Sequence, residues 1–168
     1  MHQFVEIAPE EIRENTFSLI GKEWMLITAG QPDDLNTMTA SWGGLGVLWN
    51  KPVSFCFVRP TRYTYAYLEK EEYYTLSFLE SGCRPALQLC GTHSGRDMDK
   101  IAAAGLTVRK DEAAPYFDQA VMALLCRKIA VQDIDPTGFI DPAIAGHYHD
   151  DYHRVYIGEI VKVLRRKD

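Results

Sequence analysis

The chain has 168 residues, 46% of them hydrophobic and 24% charged, with a formal net charge of −5. That length and balance suit a single globular domain over residues 1–168 with a sizeable core. The acidic excess argues against nucleic-acid binding, and no apolar run approaches the roughly 20 residues of a membrane span. Arg165-Arg166-Lys167 is a basic run that reads as a solvated tail. Met1 to Glu6 shows no basic segment followed by an apolar one, so a cytoplasmic location is expected. Cys56, Cys83, Cys90 and Cys126 include no Cys-x-x-Cys pair. Cys56 and Cys126 fall in apolar runs and are expected to be buried thiols, and Cys83 and Cys90 flank an expected helical turn.

Trp24 to Ala29 is the first compact apolar run, with β character, and Gly30-Gln31-Pro32-Asp33-Asp34 is a turn signal after it. Thr37 to Trp42 alternates hydroxyl and larger residues like a strand. Val53 to Val58, rich in β-branched and aromatic residues, is a second strand. Thr64 to Lys70 reads as a short helix whose start Thr61 or a neighbour would cap. Tyr74 to Leu79 is a strand and Pro85 to Cys90 a helical turn. Asp97 to Ala104 reads as a helix closed by Gly105. Leu106 to Arg109, Ala120 to Ile134 and Val155 to Leu164 follow, the last being a strand. Five to seven strands with short helices between them predict a mainly β protein, a barrel or sandwich decorated by helices. There is no βαβ alternation and no Gly-x-Gly-x-x-Gly, which argues against a Rossmann domain.

Four constellations carry possible chemistry. Asn36-Thr37-Met38-Thr39-Ala40-Ser41-Trp42 is followed by Gly43-Gly44. Its small residues let backbone approach a flat, oxygen-rich ligand, with Trp42 packing nearby. The same composition suits an edge strand with solvent-facing threonines. Arg59-Pro60-Thr61-Arg62-Tyr63-Thr64 offers two guanidinium groups and two hydroxyls to a phosphate, at a helix start that also favours an anion. It suits equally a solvated loop whose arginines pair with carboxylates. Ser94-Gly95-Arg96-Asp97 fits a helix-capping box, with Ser94 also able to bond a ligand and Lys100 to face it. His147, His149 and His153, with Asp150 and Asp151, form a histidine-rich cluster. Its spacing does not place all three histidines on one helix face, so no metal site is assigned. His153 precedes a strand and is the candidate for proton transfer, unless it makes only a structural hydrogen bond there.

Taken in order, these segments resemble the flavin reductase-like family with an FMN-binding split barrel, in particular its flavoredoxin-like branch. The residues that carry the resemblance are Asn36 to Trp42, Arg59-x-x-Arg62-Tyr63-Thr64, Ser94-Gly95-Arg96-Asp97-x-Asp99-Lys100 and His153-x-x-Tyr156-Ile157-Gly158-Glu159-Ile160. The resemblance implies a Greek-key split β-barrel, a homodimer, and non-covalent FMN near the dimer interface. It implies that Thr37 to Trp42 line the flavin ring and ribityl chain, mostly through backbone. Arg59, Arg62 and Thr64, with Thr61 and Tyr63 beside them, would hold the phosphate. Ser94, Gly95, Asp97 and Lys100 would close the site, and His153 would face the nicotinamide or acceptor side. Electrons or hydride would pass through the flavin to or from a redox partner protein or NADH or NADPH. Family members that serve a partner monooxygenase often carry Gly-Asp-His before the final strand. This chain reads Asp151-Tyr152-His153, which favours a flavoredoxin-like carrier, or a reductase with another donor, over direct use of NADH or NADPH.

Overall fold

The fold follows from strands that are apolar on both sides. In a computed structural model describing residues 1–167, β1 is Phe4–Ile7, β2 Met25–Gln31, β3 Asp34–Ala40, β4 Gly43–Leu48 and β5 Lys51–Val58. Then come β6 Tyr73–Leu79, β7 Val108–Arg109, β8 Tyr116–Phe117, β9 Ala120–Asp133 and β10 Arg154–Arg166. The short helices are α1 Thr16–Ser18, which runs into a π-helical turn Leu19–Glu23, α2 Tyr63–Lys70, α3 Arg84–Thr92 and α4 Lys100–Ala103. Eight strands form one antiparallel sheet in the order β3-β2-β6-β9-β10-β5-β4, with β1 also on β10, and β7 and β8 form a small hairpin. The mainly β class with short helices is therefore the observed one.

Side chains alternate across a strand, and here both faces are covered. Met25, Ile27 and Ala29 of β2, Tyr74, Leu76 and Phe78 of β6, and Met122, Leu124 and Cys126 of β9 pack into one core. Leu26, Leu79, Ala120 and Ala123 point the other way, into a second core with Ala86, Leu87 and Cys90 of α3 and Tyr116 and Phe117 of β8. That explains why these segments read as continuous apolar runs. Cys56 and Cys126 are buried as expected, Cys90 is buried and Cys83 half-buried, and all four are free thiols.

β10 is long enough to serve two partners on one side. Its first half pairs with β5 from Arg154 to Glu159, and its end pairs with β1 from Val163 to Arg166. The sheet divides there. Gly158 sits at a register shift against β9, where a Cβ would lie 2.1 Å from the buried Tyr74 hydroxyl. At the opposite extremes of the sheet, β3 and β4 are both edges, yet only Ser41 and Trp42 separate them. Three residue steps reach at most about 11 Å, so the edges converge at this point and the sheet curls into a split barrel. Among the described residues no ladder closes β3 onto β4.

Several expectations need correction. β1, β4 and β8 lie outside the strands anticipated, β4 because Gly43, Gly44 and Gly46 weaken strand propensity. Leu106 and Thr107 lie outside the two-residue β7. The helix expected over Asp97 to Ala104 is only Lys100–Ala103. Asp99 caps it, its carboxylate accepting from the Ala102 N–H at 3.0 Å. The Ser94–Asp97 capping box does not form; the Ser94 hydroxyl instead accepts from the Arg96 N–H at 3.2 Å. Gly105 does follow the helix with φ +67, as a helix C-terminus favours. No helix among the described residues is long and apolar enough to cross a membrane.

Candidate functional site

Where the sheet edges converge, a cleft of about 210 Å³ is lined by Met38, Thr39, Ala40, Ser41, Trp42, Phe57, Arg59, Arg62 and His153. β3 and its exit supply one wall, β5 a second, and the residue preceding β10 a third. Trp42 is 49% exposed and meets the rings of His147 and His153 edge-on, both at 5.5 Å between centroids. Phe57 stands 6.3 Å from His153. The cleft is thus narrow, aromatic on one side and small-residue backbone on the other. Thr39 lines it but spends its hydroxyl on the Leu87 carbonyl of α3 at 2.5 Å.

His153 is buried and its Nδ1 lies 2.7 Å from the Tyr148 hydroxyl. Burial, aided by the Arg59 charge, holds its pKa down at about 4. Held down in this way, the imidazole favours its neutral form at pH 7. It can accept or donate one hydrogen bond but is a poor proton donor in that range.

Arg59 is committed elsewhere. Its guanidinium pairs with Asp151 at 2.6 Å, donates to the His147 carbonyl at 2.7 Å, and lies over the Tyr148 ring at 5.0 Å. Asp151 in turn accepts from the His149 N–H at 2.8 Å. The histidine-rich segment is thus a strap clamped by Arg59. Among the described residues no group of three His, Cys, Asp or Glu side chains converges to hold a metal.

Arg62 belongs to two cavities. Beyond it lies a second, of about 240 Å³, lined by Thr61, Arg62, Tyr63, Thr64, Gly91, Thr92, His93, Ser94, Arg96 and Lys100. The Arg62 guanidinium donates to the Gly91 carbonyl at 3.3 Å. Lys100 is 3% exposed and donates to the Cys90 and His93 carbonyls at 3.2 and 3.1 Å. Arg96 donates to the Thr61 carbonyl at 3.4 Å and lies over the Tyr63 ring at 4.7 Å. None of these three cations has a carboxylate partner among the described residues. Two of them satisfy carbonyls at the C-terminal end of α3, which a helix leaves unpaired. Burial lowers the pKa of Lys100 to about 8, and burial beside Arg59 lowers that of Arg62. The first turn of α2 opens at the same place. Its N-cap position is Arg62 and carries no side-chain cap, so neither Thr61 nor a neighbour caps it as expected. Free N–H groups at a helix start, with buried Lys100, half-buried Arg62 and exposed Arg96 all lacking counter-charges, together suit an anion.

The remaining expected residues are distributed unevenly. Asn36 is buried and donates to the Thr64 hydroxyl at 2.7 Å, tying β3 to α2. Thr37 faces the core, its hydroxyl 2.8 Å from that of Thr28 and 3.2 Å from the Ile27 carbonyl. Its side chain is turned away from the cleft. Gly95 passes so close to β3 that a Cβ would lie 2.2 Å from the Asn36 side-chain oxygen. Asp97 is exposed and lines neither cavity. Arg96 and Phe57 do line them and were not singled out as site residues. Arg96 stands inside the Ser94-Gly95-Arg96-Asp97 motif, which was a sufficient signal; Phe57 looks in sequence like any strand aromatic.

A sequence family described as flavin reductase like domain matches residues 17–168. No curated protein matches the chain in sequence. Among solved structures, an FMN-binding domain of a flavin reductases-like enzyme from Shewanella baltica superimposes with a TM-score of 0.71 at 14% identity, covering 98% of this chain and 78% of that one. Flavoredoxin of Desulfovibrio vulgaris gives 0.65 at 22% identity over 94% of this chain and 75% of its own. An NADH:FAD oxidoreductase of Streptomyces globisporus gives 0.63 at 19% identity, covering 86% and 78%. At these identities the likeness is one of fold.

Proposed function

The chain belongs to the flavin reductase like domain family, and we infer that it is a redox flavoprotein holding FMN without a covalent bond. The observation that carries this reading is the pair of cavities joined at Arg62: a flat aromatic cleft on one side and an anion site on the other. A ring system bearing a phosphate at the end of a short chain has that form. Arg62, Arg96, Lys100 and the N–H groups at the start of α2 would hold the phosphate, with Thr61, Thr64 and Ser94 beside them. Backbone from Met38 to Trp42 would approach the ring edge, with Trp42, Phe57 and His153 forming the wall. When bound, FMN supplies hydride or electron transfer, and the protein tunes it by orientation and local charge. The chain's own contribution is to exclude water with Trp42 and to hold His153 as a neutral hydrogen-bonding group. Arg59 supports the site indirectly, by fixing the strap that carries Tyr148.

The finer role we propose is a flavoredoxin-like carrier. Arg59 is already neutralised by Asp151 and is not free to receive a nicotinamide nucleotide's phosphate. An NADH- or NADPH-dependent flavin reductase is the second reading, and an FMN store or sensor the third. A homodimer is supported by exposed Trp42, Val47 and Trp49, which lie before, within and just after the edge strand β4. Four free thiols suit the reducing cytoplasm.

The visible spectrum of the purified protein tests this, followed by anaerobic NADH and then NADPH. A flavin spectrum stable until dithionite is added supports the carrier, and rapid bleaching supports the reductase instead. Absence of flavin with no uptake of added FMN would overturn the reading. Sedimentation equilibrium tests the dimer, and a monomer at all concentrations would refute it.

A further inference from the structure

His153 lines the cleft with one ring nitrogen committed and the other free. Its Nδ1 lies 2.7 Å from the Tyr148 hydroxyl, and its Nε2 has no partner among the described residues. The residue is only 6% exposed. Among the described residues Ser77 Oγ is the one occluded side-chain oxygen or nitrogen without a partner, so Nε2 is not sealed in the core. It opens on the cleft.

Tyr148 is held from several sides. Its ring stacks on Phe139 at 6.0 Å and packs against Tyr152 at 5.0 Å, and its N–H donates to the Ala145 carbonyl at 3.1 Å. The Arg59 guanidinium lies 5.0 Å from the ring centroid and grips the strap on both sides of it, at the His147 carbonyl and the Asp151 carboxylate. The two Asp151 oxygens are taken by Arg59 and the His149 N–H, so they do not compete for the phenol. His153 Nδ1 is its partner.

The sense of that hydrogen bond decides what the cleft meets. A neutral imidazole carries one proton, and the bond made by one nitrogen fixes the state of the other. A phenol is a more acidic donor than an imidazole N–H, and a bare ring nitrogen is a better acceptor than a phenol oxygen. The Arg59 charge over the ring strengthens the phenol as a donor. Tyr148 therefore donates to Nδ1, and the imidazole proton sits on Nε2. No carboxylate or carboxamide side chain is among those lining the cleft, and Trp42, Arg59 and Arg62 carry donors alone.

We propose that Tyr148 is a positioning residue that fixes the Nε2–H tautomer of His153. The group held against this histidine is then a hydrogen-bond acceptor, a carbonyl oxygen or an unprotonated ring nitrogen, and an N–H or an ammonium is turned away. An oxidised flavin ring carries such oxygens and nitrogens as well as one N–H, and the tautomer selects the former. The ligand rests on the flavin reading above; the tautomer does not.

Side-chain nitrogen NMR of the histidines tests this, in flavin-free wild type and Tyr148→Phe at pH 7, with His153→Gln to assign the resonances. Tyr148 is half-buried and the substitution keeps its ring. Wild type should show His153 with a protonated Nε2 and a bare Nδ1. In Tyr148→Phe the proton should spread over both nitrogens. Adding FMN to wild type should move the Nε2–H proton resonance downfield, and the variant should bind FMN about two- to tenfold more weakly. A wild-type proton on Nδ1, or the same tautomer in both proteins, would overturn the positioning role. FMN that binds without moving the Nε2–H resonance would overturn the acceptor and leave the flavin reading standing. Failure of FMN to bind wild type would overturn the flavin reading and the ligand named here, while the tautomer is still read from the flavin-free protein.

Discussion

Arg59 and Asp151 lie 92 residues apart in sequence and meet at 2.6 Å, joining the end of β5 to the strap before β10. The His149 N–H and the Arg59 charge hold the Asp151 carboxyl down at about 2. A carboxyl whose pKa is depressed on folding contributes stability above its unfolded value, near 4, and loses it as pH falls through the folded value. The clamp should therefore be intact at neutral pH and release between about pH 4 and pH 2. Asp151→Ala should release it at pH 7. Amide exchange over residues 147–152 should then quicken, and Trp42 fluorescence should shift as its edge contact with His147 is lost. Unchanged exchange in the variant would mean that the strap is held by its aromatic contacts alone.

Arg62 and Arg59 are predicted to separate in function. Arg62→Ala removes a half-buried cation of the anion site and should weaken FMN binding by about 1.5–3 kcal/mol, roughly ten- to a hundredfold. Riboflavin, which lacks the phosphate, should bind the variant and wild type alike. Arg59→Ala should affect FMN less. Parallel fluorescence titrations check this, and an equal loss in both variants would place the phosphate nearer Arg59.

Lys100 gives the same site a pH signature. With its pKa near 8 in the free protein, it loses its charge above that value, so FMN affinity should fall as pH rises past about 8. Lys100→Met should flatten that part of the profile. A wild-type affinity constant from pH 7 to 10 would show that Lys100 does not face the phosphate.

His153 should titrate at about 4, measurable from its imidazole resonances. The folded value lies below the unfolded one, so the unfolded chain binds the extra proton first. Stability attached to this group is complete above about pH 6.5 and declines as pH falls toward 4. His153→Gln should lessen that decline in thermal melts. A midpoint near 6.5 in the folded protein would contradict the burial described here and restore His153 as a proton donor at neutral pH.

Gly158→Ala would drive a methyl group into the Tyr74 hydroxyl, which is hydrogen-bonded to Ser54 at 2.8 Å in the core. Overpacking of this kind costs about 1–3 kcal/mol, and each kcal/mol lowers Tm by about 2–4 °C in a chain of this size. Tyr74→Phe removes the colliding oxygen, so the double variant should lose less than the sum of the single losses. Strict additivity would mean that the strand shifts instead of clashing.

Local pattern determined the strands β2, β5, β6, β9 and β10, because continuous apolar runs have few other ways to bury both faces. It also determined the C-terminus of α4 at Gly105 and the order of the motifs that resemble a flavin-binding family. The pairing of charges was decided only by the tertiary structure. In sequence Arg59 and Arg62 are near-equivalent, three residues apart. Folding gives the first a carboxylate from a strap 92 residues away and leaves the second half-buried without one. In the same way Asn36 and Thr37 are neighbours, yet strand alternation turns Thr37 to the core and Asn36 to α2. Glycine-rich β4 was invisible because its strand state comes from pairing with β5, not from propensity. Whether a polar side chain is spent on the protein or left for a ligand depends on which distant segments arrive beside it, and that is a property of the packed chain.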